Sequence, residues 1–272
     1  MPSVLFFGSK PGSVVALTEL IQADWDVRKV IISKSVNYDW YGERNLESEA
    51  RKYGIEVKYQ SEIIDEGHVD YVISYMFRHK IIKQVLDKAE IAAINFHAAP
   101  LPDYGGWGTY NRAILNDSTY YGCTCHYMNE NFDEGDLIKV HKFQINSSDL
   151  TAIELENLTQ VEMLKLFLEV VNLAKQGVQF PRIKQEKIEN GYMSFEQMED
   201  LKIISKEMTS KEIEKLARAF WFPPHQGAYL KLGEKVIEVV PNSVKTKWLS
   251  EFSGNFLEHL FSELESHKKL IQ

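Results

Sequence analysis

The first half of the chain alternates short apolar, β-rich segments with amphipathic segments, and this alternation strongly constrains the fold. Strand-like runs occupy residues 3–9, 27–33, 69–77 and 91–97. Segments with helical spacing lie between them, at residues 12–22, 46–54 and 79–89. This alternation is typical of a parallel sheet whose strands are joined by crossover helices. We therefore expect an α/β fold with a Rossmann-like, mostly parallel sheet, in which ligands bind beyond the carboxyl ends of the strands.

The chain continues with a helical segment at 107–117, strand-like runs at 121–130 and 136–145, and a long helix at 150–177 that ends at Gly177. We place the end of a first domain near residue 180. Residues 181–272 then predict a small C-terminal domain that contains β-structure. Its expected elements are a linker helix at 209–220, a hairpin within 221–240 that bends at Gly233, and an amphipathic terminal helix at 251–272.

Composition and charge exclude several classes of protein. The formal net charge of −8 argues against a protein whose main partner is nucleic acid, because such proteins usually carry a basic surface. The two cysteines lie two residues apart, which is poor geometry for a mutual disulfide and indicates a reducing cytoplasm. The sequence shows neither a signal peptide nor an apolar run long enough to span a bilayer, so we expect no membrane partner.

The segment INFHAAPLPDYGG (94–106) places an amide and an imidazole where a strand meets a rigid loop. Asn95 and His97 are two residues apart, so on a strand they point to the same face, while Phe96 points to the other face and packs. Prolines and glycines then shape the loop that follows. Taken alone, such a short motif is more readily explained by two side chains that cap backbone groups.

A second segment, NENFDEGDLI (129–138), supplies carboxylates in an acidic turn between two strand-like runs. Asn95, His97 and one carboxylate form a set that stabilises an oxyanion and moves a proton, with the carboxylate orienting the imidazole. No serine or cysteine nucleophile lies within the loop, which favours direct transfer between two bound substrates. We expect Asp136 to be a solvated carboxylate at the start of the next strand.

Together these segments resemble the core of the 10-formyltetrahydrofolate-dependent formyltransferases. That family includes glycinamide ribonucleotide formyltransferase, methionyl-tRNA formyltransferase and the sugar N-formyltransferases. Its pattern is N-x-H, a Leu-Pro-x-x-x-Gly loop and an L-D-x-G-like turn. The matching positions are Asn95, His97, Leu101-Pro102 with Gly106, and Phe132-Asp133-Glu134-Gly135, and the similarity covers most of residues 1–180.

The resemblance implies the formyltransferase fold over residues 1–180 and an enzyme that takes a formyl group from 10-formyltetrahydrofolate, without a metal. It implies that Asn95, His97 and Asp133 are the catalytic residues. For the folate, it implies contacts from Met76, Phe77, Arg78, Asn129, Asn131 and Phe132. One position departs from the pattern: many members have a basic residue before the loop glycine, where this chain has Gly105.

The acceptor amine is inferred from the second domain and the charge. The segment RAFWFPPHQGAYLKLG (218–233) resembles the start of the small domain in the sugar N-formyltransferases, which act on nucleotide-linked amino-deoxysugars. Trp221 and Phe222 either stack on a base or pack a domain interface. Lys10 either pairs with a diphosphate or is solvated. Trp107 and Tyr110 either wall the sugar pocket or begin a packed helix.

Several alternatives remain open at this stage. A methionyl-tRNA formyltransferase is expected to have a longer C-terminal domain and a basic surface, and a formyltetrahydrofolate hydrolase an N-terminal regulatory domain. A dehydrogenase is disfavoured because residues 8–13 lack the G-x-G-x-x-G spacing. A noncatalytic nucleotide-sugar binder would not need the intact Asn-His-Asp set. The segment CTCH (123–126) is interpreted as core strand rather than metal site. We expect a homodimer that serves surface polysaccharide (O-antigen) synthesis.

Overall fold

Seven strands form one mixed sheet in the computed structural model, which describes residues 1–33, 45–186, 188 and 191–247. In chain order the strands are β1 (Ser3–Gly8), β2 (Asp26–Ile32), β3 (Val57–Tyr59), β4 (Val69–Tyr75), β5 (Ala89–His97), β6 (Gly105–Gly106), β7 (Tyr120–Tyr127), β8 (Leu137–Gln144), β9 (Tyr192–Met193), β10 (Tyr229–Leu232) and β11 (Lys235–Glu238). The sheet order is β3-β2-β1-β4-β5-β7-β8. Strands β1 to β5 pair in parallel, whereas β7 and β8 are antiparallel, so the predicted mostly parallel sheet is confirmed.

The helices are α1 (Gly12–Gln22), α2 (Leu46–Lys52), α3 (Lys83–Leu86), α4 (Thr109–Leu115), α5 (Ala152–Lys175), α6 (Phe195–Asp200) and α7 (Ser210–Phe220). The prediction of a helix over 79–89 is wrong, because α3 is a single turn. Residues 80–82, just before α3, are held in extended form by Gln60. The Gln60 side-chain amide donates to Lys80 O at 3.0 Å and accepts from Ile82 N at 3.2 Å. Since β5 already begins at Ala89, little chain remains for a helix.

Helix α5 covers one face of the sheet. Its N-terminus has a capping box between Thr151 and Glu154, and Gly177 follows its end with a φ of +72°, as the sequence predicted. Phe167 of α5 lies 5.0 Å from Phe96, ring centre to ring centre, within the main core. Phe96 therefore packs on the face away from Asn95 and His97, which confirms the alternation expected for β5.

The C-terminal segment shares a core with the rest of the chain. Ile204, Leu216 and Phe220 belong to the same buried cluster as Tyr121 and Leu155. The hairpin β10–β11 forms as predicted, with Gly233 at its bend and a φ of +62°. The predicted terminal helix at 251–272 lies outside the described residues. The boundary near residue 180 stays a prediction. No helix among the described residues is long and apolar enough to cross a bilayer.

Candidate active site

A cleft of about 420 Å³ opens at the carboxyl ends of β4 and β5. The loop after β4 forms one wall, the loop after β5 forms another, and the turn between β7 and β8 forms a third. The described residues that line it include Asn95, His97, Asp133, Met76, Phe77, Arg78, Asn129, Asn131, Phe132, Lys10, Trp107 and Tyr110. The structure thus brings the Asn-His-Asp set and the expected folate contacts to one cavity.

A backbone carbonyl fixes the orientation of the His97 imidazole. His97 Nε2 lies 3.0 Å from Tyr104 O, and because a carbonyl only accepts, Nε2 carries the hydrogen. Nδ1 therefore faces the cleft, 3.5 Å from Asp133 Oδ1. This differs from the expectation that the carboxylate orients the ring. The loop backbone orients it, and Asp133 lies beside the nitrogen that is left for chemistry.

Asp133 is held in a strained backbone conformation with a φ of +55°. Gly106 N donates to its Oδ2 at 3.2 Å, and Gln185 Nε2 donates to its backbone carbonyl at 2.7 Å. The neighbouring Asp136 is one-third exposed and 3.8 Å from Arg182 Nη1. It is absent from the described lining of the cleft, in agreement with the solvated carboxylate that we expected.

His126 lies opposite Asn95 in the antiparallel pair β5–β7 and is a site residue that the sequence did not predict. Its Nδ1 is 2.8 Å from Tyr127 O and therefore carries the hydrogen, which leaves Nε2 as an acceptor. The Asn95 amide donates to that Nε2 at 3.0 Å. Burial holds the pKa of His126 well below its usual value, against the opposing charge of Asp133. A neutral His126 thus sets which way the Asn95 amide faces, a role visible only once the strand pairing is known.

We expect the free energy of unfolding to fall as the pH drops below about 6.5, because His126 takes up a proton in the unfolded chain and resists it when folded. Its folded pKa lies below the unfolded value, so the unfolded state binds more protons in between and stability rises with pH there. Denaturant titrations at a series of pH values measure this. His126→Gln should lose less stability on acidification than the unmodified chain, and equal acid sensitivity would contradict the assignment.

The residues expected around the pterin lie on two walls of the cleft, the loop after β4 and the turn between β7 and β8. Met76 lines the cleft with a φ of +52°, and its N–H donates to Phe96 O at 3.2 Å, so the backbone leaves β4 in an irregular turn at this wall. In the opposite turn, Asn129 Oδ1 accepts from Asn131 N at 2.8 Å, and Phe132 is 46% exposed. Exposed aromatic surface beside irregular backbone suits a flat heterocycle, and the roles of these residues stay predictions.

The residues expected to contact the acceptor differ in burial and in what they pack against. Lys10 is neither solvated nor isolated: its Nζ is 2.9 Å from the buried Glu156 and 4.9 Å from the centre of the Phe222 ring. Trp107 is half-exposed at the cleft. Tyr110 packs 5.7 Å from the Tyr121 ring, and burial raises its pKa strongly, which fits the packed beginning of a helix.

Trp221 and Phe222 are not among the described residues that line the cleft. Phe222 packs against the second core and lies beside Lys10, so it reaches the cleft only through that lysine. Gly105 leaves room for a side chain, because a Cβ there would meet its nearest neighbour, Tyr192, at an ordinary 3.5 Å. Steric crowding in this loop therefore does not explain why the basic residue is absent.

The segment CTCH is core strand, as the sequence indicated. Cys123 and Cys125 are buried and reduced, and burial raises the pKa of both thiols. Within the part of the chain that the structure describes, no three His, Cys, Asp or Glu side chains converge as metal ligands.

Comparison with known proteins identifies the family. Residues 12–171 match the family model described as formyl transferase, which is more than half of the chain. The chain belongs to the formyl transferase family. The resemblance seen in the N-x-H and D-x-G segments is confirmed.

Relatives of two kinds share similar sequence or fold. The chain is 29% identical over 200 residues to methionyl-tRNA formyltransferase of Clostridium acetobutylicum, covering 69% of this chain and 62% of that protein. It is 28% identical over 180 residues to GDP-perosamine N-formyltransferase of Brucella melitensis, covering 62% of this chain and 64% of that protein. It thus spans less than two thirds of the length of these curated relatives.

Among solved structures, the fold is similar to an N-formyltransferase from Helicobacter canadensis in complex with folinic acid and dTDP-3-aminofucose. The TM-score is 0.72 at 22% identity, and the match covers 87% of this chain and 86% of that one. At this identity the likeness establishes the fold. The predicted formyltransferase fold, with its small C-terminal strands, is thereby confirmed.

Proposed function

We propose that this formyltransferase moves the formyl group of 10-formyltetrahydrofolate to the amine of a nucleotide-linked amino-dideoxyhexose, of the dTDP-3- or 4-amino-4,6-dideoxyglucose type. The observation that carries the acceptor is a cation beside an aromatic ring: Lys10 lines the cleft, and the Phe222 ring behind it lies 4.9 Å from Lys10 Nζ. Burial, and then the charges of Arg78, Lys10 and Lys202, lower the pKa of His225 against the opposing charge of Glu199; Lys10 itself pairs with Glu156 and Lys202 with Glu199. Phe222 lies beside both Lys10 and His225.

This arrangement fits a nucleoside diphosphate. A diphosphate is attracted to clustered cations, and a base has a π face that an aromatic ring accepts. The cation at the cleft is a local feature of a chain whose net charge is −8. A small anionic acceptor needs only such a local patch, whereas a tRNA contacts phosphates over a long surface. The ligands of the Helicobacter canadensis structure, folinic acid and dTDP-3-aminofucose, support the same pair of substrates.

The donor fits the other side of the cleft. The backbone around Met76 and the turn that contains Asn129 and Phe132 flank a cavity of about 420 Å³ that ends at Asn95 and His97. A pterin inserted between these segments would place its formyl group at the Asn-His-Asp set. We therefore propose 10-formyltetrahydrofolate as the co-substrate, with no metal in the reaction.

In the proposed reaction the uncharged sugar amine attacks the formyl carbon. The new C–N bond forms, and the oxyanion accepts hydrogen bonds from the Asn95 amide and from His97 Nδ1–H when the ring is protonated. Asp133, 3.5 Å from that Nδ1, stabilises the imidazolium and receives the proton lost by the amine, directly or through water. The oxyanion then collapses, the bond to the folate nitrogen breaks and that nitrogen takes up the proton, which releases the formamide and tetrahydrofolate. Each oxyanion donor of this kind is typically worth about 3–4 kcal/mol.

A formylation assay tests the proposal. Purified protein is given dTDP-, UDP- and GDP-linked amino sugars, with 10-formyltetrahydrofolate supplied or omitted, and the formamide is measured by mass spectrometry. We expect product with at least one nucleotide sugar, only when the folate is present, and unchanged by a chelator. Formylation of methionyl-tRNA and of no sugar would overturn the acceptor. Release of formate without any acceptor would instead indicate a hydrolase.

Methionyl-tRNA is a second candidate acceptor, because curated relatives of that activity match at 26–30% identity. Binding to tRNA is expected to weaken steeply with salt, since it releases many counterions. Binding to a nucleotide sugar involves two phosphates and should depend on salt only weakly. A salt series in the same assay therefore separates the two acceptors.

We also propose a homodimer that acts in the cytoplasm, in the synthesis of a surface polysaccharide such as O-antigen. The hairpin β10–β11 supports the dimer, because Leu232, Val236 and Ile237 are about half-exposed there. Cys123 and Cys125 support the location, because two buried thiols two residues apart on one strand have poor geometry for a disulfide. Light scattering during size-exclusion chromatography tests the dimer, and Ile237→Glu should yield monomers if the hairpin forms the interface.

A further inference from the structure

The loop between β5 and α4, residues 98–108, is hydrogen-bonded to residues 191–193, which are distant in sequence. Gly105 N donates to Gly191 O at 2.8 Å, and Trp107 N donates to Met193 O at 2.9 Å. These bonds make the short parallel pair β6–β9. The chain must approach closely here, because a Cβ on Gly106 would lie 2.4 Å from Met193 O. The loop therefore depends on residues 191–193 for its position.

Arg112 connects the two segments of this pair. Its side chain comes from α4 and is 7% exposed. Nη2 donates to Gly105 O at 2.9 Å, and Nη1 donates to Gly191 O at 3.1 Å. The guanidinium also lies 5.1 Å from the centre of the Tyr104 ring. A planar fork suits two carbonyls on adjacent strands, whereas a lysine presents a single point of charge.

The residues on either side of Gly105 hold His97 and Asp133, the two proposed catalytic residues, by hydrogen bonds. Tyr104 O accepts from His97 Nε2 at 3.0 Å and so fixes which His97 nitrogen faces the cleft. Gly106 N donates to Asp133 Oδ2 at 3.2 Å. Arg112 itself is not among the described residues that line the cleft, so it is out of reach of a substrate there.

We infer that Arg112 is a positioning residue, which holds the loop so that the Tyr104 carbonyl and the Gly106 amide present His97 and Asp133 to the reacting atoms. This inference rests on the proposed roles of His97 and Asp133. This role explains why the charged Arg112 side chain is buried, which the formation of α4 alone does not require. It also makes residues 191–193, beyond the core of the family motif, part of the support of the active site.

Arg112→Met should lower kcat by about 10²-fold, the effect typical of a displacement of about 1 Å at a reacting group. The dissociation constants of folinic acid and of the nucleotide sugar should stay within about threefold, because Arg112 is outside the cleft lining. Arg112→Lys should recover part of kcat, since it keeps the charge and one of the two bonds.

Nitrogen NMR of protein with ¹⁵N-labelled histidine gives a readout that a purely structural role would not move. The neutral His97 ring of the unmodified chain should show a single tautomer with the hydrogen on Nε2, and His97→Gln assigns the signal. In Arg112→Met the carbonyl that fixes this tautomer shifts, and we expect a mixture of tautomers. This readout needs no acceptor, so it separates a failure of the present inference from a failure of the proposed sugar substrate.

Arg218→Met is a matched control. Arg218 is also a buried arginine, 9% exposed, whose Nη1 donates to two backbone carbonyls, Ser147 O and Leu150 O. It should lower the melting temperature but leave kcat and the His97 tautomer unchanged. Equal loss of kcat in both variants, or an unchanged tautomer in Arg112→Met, would overturn the inference. If Arg112→Met does not fold, Arg112→Lys is judged by the same two outcomes.

Discussion

Replacement of Asp133 by asparagine should reduce kcat by about 10²–10⁴-fold, the usual contribution of a positioned acid or base, while the fold is retained. The carboxylate is the charge nearest to the cleft-facing nitrogen of His97, at 3.5 Å. Asparagine has the same shape and still accepts a hydrogen bond from Gly106 N, but it neither stabilises the imidazolium nor takes a proton. Single-turnover formylation, together with circular dichroism, measures the effect.

Asp136→Asn is the matched control, because it makes the same change three residues away. Asp136 is outside the described cleft lining and pairs with Arg182 at 3.8 Å near the surface. We expect its variant to retain turnover within about twofold, since surface ion pairs contribute little. An Asp133→Asn enzyme that keeps more than a tenth of normal turnover would remove Asp133 from the proposed reaction.

His97→Ala should lose turnover to a similar degree, and the double variant with Asp133→Asn should be little slower than the slower single variant. The physical reason is that both groups act at one position, so removing either already removes the joint effect. Losses that multiply fully would show that the two side chains act independently. That result would contradict the geometry, in which His97 Nδ1 and Asp133 Oδ1 face each other.

Gly135→Ala is expected to impair activity strongly although it alters no proposed catalytic group. A Cβ on Gly135 would lie 1.7 Å from Tyr127 O, so the backbone of the turn must move. The same turn contains Asp133, whose carbonyl and that of Gly135 both accept from Gln185 Nε2 at 2.7 Å. A displacement of about 1 Å at a catalytic group costs about 10²-fold in rate, and we expect at least that loss in kcat.

Gly67→Ala controls for the general effect of adding a methyl group to a loop glycine. No atom lies within 4 Å of a Cβ built on Gly67. Its stability and turnover should therefore match the unmodified chain. Thermal denaturation separates global unfolding from local displacement in Gly135→Ala: a folded enzyme with low kcat agrees with the argument. A folded and fully active Gly135→Ala enzyme would show that the turn adapts without moving Asp133.

The arrangement of strands and helices was largely predictable, because it depends on patterns that are local in sequence. Apolar runs placed β1, β2, β4 and β5 within a few residues, and periodic apolar spacing placed α1 and α5. The helix predicted at 79–89 failed for a tertiary reason. Gln60, distant in sequence, holds residues 80–82 in extended form, and a side-chain contact of this kind leaves no periodic signal.

The chemical set was also present in the sequence, since Asn95 and His97 share a strand face and Asp133 completes a motif of fixed spacing. The orientation of the His97 ring and of the Asn95 amide in the cleft depended on contacts between distant segments. Tyr104 fixes the His97 nitrogen and His126 fixes the Asn95 amide, because each hydrogen bond requires a partner brought in by a loop or by strand pairing. The sequence by itself determined the fold class and the family, and it indicated the reacting groups that we propose. Only the tertiary structure decided their orientation and the role of Arg112, since hydrogen-bond direction depends on where distant backbone atoms come to lie.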